Sequence, residues 1–418
     1  MFEEEIKVEK LPIKDFDNRT FVILQSNTNT YTHGFFKYPC RFIPEIPRWA
    51  INTYTKENDI VFDPFAGSGT SLLESIINNR KAYGTEIDDI AKLIIKAKSL
   101  VLSKNEFYEL KENWDNLNDS VLKNDYPEDI PDMNNLEHWF SENNIHQLGK
   151  IAHFIKQITN KNIQCFFNIC LASIIKKVSY CDDISPKPYV SSRIKKKENE
   201  AIVEFNSIFN KYLVMLEDFN KLNTRHNIDI INGDALNFTL DDKIDLAITS
   251  PPYINAFDYV RTMRLENLWV GTKNEAELRN SKRLYVGTEQ IKMNDEEKNL
   301  FILNDSELLK YCYDSIFAKD KKRALIVKKF FEDMKVNLET IYKNLSPNGH
   351  YVIVIGNSTI RNVEIESWNI LKDIAVKIGF KYEAVFRYLI RNPYIRIPRN
   401  GHGGIVNYDY VLCLKKEL

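Results

Sequence analysis

The chain has 418 residues, 44% of them hydrophobic and 28% charged, with a formal net charge of −1 at pH 7. This composition is that of an ordinary soluble chain, long enough for one large core plus an added domain, and it excludes wholesale disorder. A near-neutral chain has no uniformly basic surface, so contact with a nucleic acid has to come from local patches. No stretch approaches the roughly 18 apolar residues of a membrane span, and the opening Met1-Phe2-Glu3-Glu4-Glu5-Ile6-Lys7 does not resemble a signal peptide. The expected location is cytoplasmic. The six cysteines and seven histidines show no ligand spacing, which argues against a metal site or a disulfide framework.

In chain order, the first strong signal is Asp59-Ile60-Val61-Phe62-Asp63-Pro64-Phe65-Ala66-Gly67-Ser68-Gly69-Thr70. It reads as a short buried strand, a Gly-rich turn, and a helix with Leu72, Leu73, Ile76 and Ile77 on one face. Glycines at 67 and 69 admit a ligand close to the backbone, and the free N–H groups of the following helix point to the same spot. No lysine follows the second glycine, so this is not a phosphate-binding P-loop. The next strand, Lys81 to Asp88, sets Glu86 at its tip, where an acid can accept both ribose hydroxyls of an adenosine.

Residues 101–227 are too long for a connection within a sheet and show helical periodicity around Leu110 to Leu122, Ile145 to Ile158 and Asn162 to Lys177. They are expected to form an inserted helical domain. The loop from Ser179 to Lys197 mixes turn formers, aromatics and the cations Lys187, Arg193, Lys195 and Lys196, a combination able to grip phosphates and read a groove, or simply to be a solvated basic loop.

Strands resume with Ile228 to Ile231, followed by Asn232-Gly233-Asp234-Ala235, and with Ile244 to Thr249, followed by Ser250-Pro251-Pro252-Tyr253. Two prolines cannot continue a ladder, so that strand ends in a rigid turn bearing a hydroxyl, free carbonyls and an aromatic ring. The spacing of Phe257, Val260, Leu265 and Leu268 predicts helix beyond it. Residues 271–301 carry Arg279, Lys282, Arg283 and Tyr285. Helix is expected over much of 302–345 and over 368–378, and strands over 349–356, 380–390 and 408–414. A hairpin at 391–404 offers Arg396 and Arg399 as phosphate partners.

Together the Gly loop, the acid at 86, the acid at 234 and the Ser-Pro-Pro-Tyr turn resemble the class I S-adenosylmethionine-dependent methyltransferases, specifically the amino-methylating DNA methyltransferases. The fold implied is α/β, a Rossmann-like doubly wound seven-stranded sheet with an inserted helical domain. The catalytic domain would comprise 1–100 and 228–418, and 101–227 would be the candidate for DNA recognition. The resemblance implies that the loop of Asp63, Pro64, Phe65, Ala66, Gly67, Gly69 and Thr70 cradles the methionine part of S-adenosylmethionine. Glu86 would hold the ribose and Ile87 would pack on the adenine. Asp234 would accept the adenine amino group beside Ala235, and the segment His33 to Glu45, with Phe42 and Pro44, would close over the methionine end. A serine opening the Pro-Pro-aromatic motif is typical of enzymes that methylate the cytosine 4-amino group, whereas adenine enzymes begin it with Asn or Asp.

The cytosine amine is a poor nucleophile because its lone pair is delocalised into the ring. Ser250 Oγ and the Pro251 carbonyl are expected to accept its hydrogens, with Tyr253 stacking on the base, so catalysis would come from orientation and fixed dipoles. The partner implied is double-stranded DNA whose target base is flipped out, with a separate cognate restriction endonuclease as a further candidate. Three alternatives stand beside this: adenine-N6 methylation, amine methylation in RNA, and a non-catalytic binding subunit. A thiolate route through Pro39-Cys40 is disfavoured because that pair precedes the cofactor loop, and Cys40 is expected to be a small buried hydrophobe. One feature departs from the family pattern: the long insertion separates Glu86 from Asp234, which puts the location of sequence recognition in doubt.

Overall fold

The computed structural model describes residues 2, 5–24, 29–41, 43–193, 196–254, 258–391 and 406–417. Period-two alternation in its buried strands sorts side chains onto two faces of one sheet. Val61, Leu246, Ile248, Val352 and Val354 pack on one side with Trp49 and Ile51 of the helix Glu45–Tyr54. Phe62, Ala247, Ile353 and Ile355 pack on the other, against the helices Lys321–Asn344 and Ser367–Ile378. Strands buried on both faces read as continuous apolar runs, as Ile244 to Thr249 does.

The strands are β1 (Glu5–Val8), β2 (Thr20–Ile23), β3 (Ile60–Asp63), β4 (Lys81–Gly84), β5 (Ile228–Ile230), β6 (Ile244–Thr249), β7 (Leu345–Gly356), β8 (Ser358–Ile360), β9 (Val363–Ile365), β10 (Phe380–Leu389) and β11 (Tyr408–Lys416). The main sheet runs β1-β2-β10-β11-β7-β6-β3-β4-β5, and β8 and β9 form a separate hairpin. All neighbours in the main sheet are parallel except β11, which runs antiparallel between β7 and β10. The seven expected strands are therefore there in doubly wound order, and the short β-branched runs at 5–8 and 20–23 extend the sheet to nine. The order reverses between β3 and β6, and in such sheets ligands bind outside the carboxyl ends of the strands at that switch point. The Gly loop follows β3 and Ser-Pro-Pro-Tyr follows β6.

β4 is shorter than the sequence suggests, because Glu86 Oε1 accepts the N–H groups of Ile87 and Asp88 at 2.8 Å each and turns the chain out of the ladder. Residues 101–227 hold the helices Lys104–Val121, Glu142–Gln157, Lys161–Ile175 and Ala201–Asn220, the last unforeseen from periodicity. These helices do not keep a core to themselves. Phe166, Ile169 and Phe209 share one apolar cluster with Phe35 and Phe36, with Ile90 and Ile94 of the helix Asp89–Lys98, and with Leu265 and Leu268 beyond the Ser-Pro-Pro-Tyr turn.

Candidate active site

A buried carboxylate organises the Gly loop. Asp63, 1% exposed at the end of β3, accepts hydrogen bonds from the Phe65 N–H at 3.0 Å, from the Thr249 hydroxyl at 2.6 Å and from the Ser71 hydroxyl. It thus ties the loop, the end of β6 and the helix Thr70–Ile77 together. Burial pushes its pKa up to about 6, against the pull of those three donors. Asp63 is therefore a hub behind the loop and does not line the cleft. Gly69 is likewise off the wall: at φ +73° its Cα packs on Ile95, and a Cβ there would meet Ile95 Cγ1 at 2.8 Å. Its service is close helix packing.

Pro64, Phe65, Ala66, Gly67, Ser68 and Thr70 do line the cleft, with Thr85, Glu86 and Ile87 of the neighbouring strand end. Glu86 Oε2 accepts the Gly67 N–H at 2.7 Å, so the acid also braces the loop. Burial, with the nearby Asp88 carboxylate, pushes the Glu86 pKa up to about 8, against three backbone donors. Ser68 went unremarked in the sequence because a serine between glycines signals little. Its Oγ is buried without a hydrogen-bond partner among the described residues, and its carbonyl accepts from Lys98 Nζ, a fully buried lysine, at 2.8 Å. An orphaned hydroxyl in the cleft wall needs a ligand or a water to satisfy it.

The segment before β3 forms the opposite side. His33 Nε2 lies 2.9 Å from Glu74 Oε1, and Arg48 donates to both oxygens of Glu74 at 2.9 and 2.7 Å, which clamps the segment onto the helix that follows the loop. Burial alone would raise the Glu74 pKa, yet His33 and Arg48 hold it below the usual carboxylate range. Tyr38, Cys40 and Arg41 from this segment line the cleft. Pro44 does not: it is buried at the N-cap of the helix Glu45–Tyr54. Phe42 lies outside the described residues. Cys40 is exposed and lines the cleft, contrary to the expectation of a buried hydrophobe; it sits in a turn at φ +56°. Desolvation in its recess and the Asp409 charge push its thiol up to about 12.

Asp234, Ala235 and Leu236 complete this side of the cleft. Asp234 is exposed, and its Oδ1 accepts the N–H groups of Leu236 and Asn237 at 2.8 and 3.0 Å. The Ala235 carbonyl is held by Asn337 Nδ2 at 2.6 Å. On the same cleft, Ser250 and Pro252 stand at the end of β6, and the Ser250 hydroxyl makes no hydrogen bond among the described residues. Pro251 is buried behind them, and Tyr253, half-buried, lies off this wall with its hydroxyl donated to Asp409. Tyr259 and Tyr285 line the mouth, their rings parallel with centroids 6.2 Å apart, and Tyr285 donates to Asp88 Oδ2 at 2.9 Å. In the sequence Tyr285 was visible only as the residue after a run of cations.

The proposed nucleic-acid contacts fare unevenly. Arg193 is exposed and Lys187 is half-buried, whereas Lys196 donates to Asp183 Oδ1 at 2.6 Å and to the Lys176 carbonyl at 3.1 Å. Its charge is spent on bracing its own loop. Lys195, Arg396 and Arg399 lie outside the described residues. That loop is tied to the segment after the Ser-Pro-Pro-Tyr turn through Trp139, whose carbonyl accepts from the Tyr180 N–H at 2.8 Å and whose ring carries Arg264 of the helix Arg264–Val270. No helix among the described residues is long and apolar enough to cross a membrane.

Comparison with known proteins gives a consistent answer. A family model described as DNA methylase, of the N6 and N4 type, matches residues 8–97. The Type II methyltransferase M.MvaI of Kocuria varians is 24% identical over 98% of this chain and 97% of its own length. M.AvaI of a Nostoc species is 23% identical over 90% of this chain and 85% of its own, and M.BsoBI of Geobacillus stearothermophilus 26% identical over 64% and 59%. These likenesses support a Type II DNA methyltransferase of the N4/N6 class.

Proposed function

We propose that this methyltransferase of the N4/N6 class modifies the exocyclic N4 amine of a cytosine flipped out of double-stranded DNA. The observation that carries the reading is the Ser250 hydroxyl, without a protein partner among the described residues, on the wall it shares with Gly67, Ser68 and Glu86. S-adenosylmethionine, when bound, supplies an electrophilic methyl group on a sulfonium. Glu86 accepts the ribose hydroxyls, Asp234 the adenine amino group, and Ser68 finds its missing partner in the ligand. Ile87 packs on the adenine, and Arg41 puts a cation in the wall suited to a carboxylate.

Ser250 Oγ and the Pro251 carbonyl accept the hydrogens of the target amine and turn its lone pair toward the methyl carbon. Tyr253, although it lies off the wall that Ser250 lines, is the platform we propose for the base, reached from beside that wall, and stacking on it returns about 1–3 kcal/mol against the cost of extrusion. The Cys40 thiol, held to a pKa of about 12, stays protonated at neutral pH, which disfavours attack on a ring carbon. The loop carrying Lys187 and Arg193 is the segment we propose for groove or phosphate contacts, and a separate cognate endonuclease is the partner we expect.

The test is to incubate the chain with labelled S-adenosylmethionine and unmethylated bacterial DNA, digest to nucleosides, and separate these by mass spectrometry. Labelled 4-methylcytosine is the expected product. Labelled 6-methyladenine, or transfer to RNA alone, would sink the assignment to cytosine.

A further inference from the structure

Tyr253 is held from three sides by parts of the chain remote from it. Its hydroxyl donates to Asp409 Oδ1. Its ring lies so close to Gly356, the last residue of β7, that a Cβ there would meet Cε2 at 3.0 Å. Its carbonyl is 3.1 Å from where a Cβ on Gly287 would stand. Asp409 itself is the second residue of β11, paired in register with Gly356 on one side and Tyr388 of β10 on the other. The Tyr388 hydroxyl donates to its second oxygen at 2.9 Å.

A carboxylate 8% exposed inside a sheet is an expensive choice, and after Tyr410 the strand continues as the apolar run Val411 to Leu414. An apolar residue would serve the ladder better. What the carboxylate adds is a fixed acceptor for each of two phenols, and one of those phenols belongs to the catalytic turn. We propose that Asp409 is a positioning residue for the target base: it holds the Tyr253 ring in one plane against Gly356, so that a base stacked on that ring presents its amine to Ser250. This rests on the reading above in which Tyr253 stacks on the flipped base.

The experiment uses the full chain and five variants: Asp409→Leu, Asp409→Asn, Tyr253→Phe, Asp409→Leu combined with Tyr253→Phe, and Tyr253→Ala. Single-turnover methyl transfer to DNA and calorimetric affinity for S-adenosylmethionine are measured for each. Asp409→Leu and Tyr253→Phe should each slow transfer about tenfold, the value of one hydrogen bond to a charged group, with cofactor affinity unchanged. The combined variant should be no slower than the slower single one, since both remove the same restraint. Asp409→Asn keeps an acceptor oxygen and should recover most of the rate. A crystal structure of Asp409→Leu, or of Asp409→Asn if the leucine variant does not fold, gives a readout independent of substrate, with the Tyr253 ring displaced in the former and retained in the latter. Losses that multiply in the combined variant, or an unmoved ring in Asp409→Leu, overturn the proposal. Failure of the underlying reading looks different: Tyr253→Ala would then transfer methyl as fast as the wild type, while the ring position would still decide whether Asp409 holds it.

Discussion

The two halves of the cleft are built by different means. The stretch from Asp63 to Ile87, where we propose that the cofactor sits, is closed by hydrogen bonds within itself: Phe65 to Asp63, Gly67 to Glu86, and Ile87 and Asp88 to Glu86, although Ala235 beside it is held by Asn337, 102 residues away. The target half depends on long-range ones, with Tyr253 resting on Asp409, 156 residues away, and Thr249 on Asp63, 186 residues away. A ligand-binding loop made locally can form as soon as its strand and helix form. A catalytic turn held by distant strands takes its geometry only from the finished sheet, so damage to the sheet should reach the chemistry before it reaches cofactor binding.

That contrast can be broken at several points. The largest effect is expected from Glu74→Ala, which strands His33 and Arg48 against the helix behind the Gly loop. Denaturant unfolding should show a loss of about 3 kcal/mol, reduced if the half-exposed Arg48 re-solvates. Ser250→Ala should lower turnover by about 100-fold while calorimetry finds cofactor affinity intact. Equal losses in both would move Ser250 into the cofactor half. Glu86→Gln should weaken S-adenosylmethionine binding by roughly 10- to 100-fold.

Glu86 also gives the cofactor half a pH signature. Burial and the Asp88 charge push its carboxyl up to about 8, and in the proposed role its ionised form is the stronger acceptor for the ribose hydroxyls. Binding therefore releases a proton below that pH, so affinity should rise with pH up to about 8 and level off above it, and Glu86→Gln should flatten the profile. The smallest effect is expected for Cys40→Ala, which should leave DNA methylation standing; its abolition would revive the thiolate route.

Much of the cofactor half could be read directly, because a buried strand, a Gly turn and an acid at the next strand tip are consecutive in the chain. Asp63 and Gly69 show the limit of that reading: both belong to the motif, yet one faces Ser71 and Thr249 and the other Ile95. Motif membership does not say which way a side chain points. Tyr38 and Arg41 lie in the segment expected to close over the methionine end, but which of its residues face the cleft depends on tertiary packing, as does the arrival of Tyr285 there. The strands β1 and β2 were missed since four-residue edge segments carry almost no periodicity, and Asp409 since an acid in a strand gives no sign of the phenols that converge on it.

The antiparallel β11 has a consequence for synthesis. It leaves the ribosome after every strand it must join, yet its place is between β7 and β10, so the nascent sheet carries an interior gap until Tyr408–Lys416 emerges. A stop codon ahead of Tyr408 would not trim an edge. It would leave β10, and the N-terminal strands attached to it, with no bridge to the rest of the sheet, and expose two apolar flanks to whatever chaperone or protease arrives first.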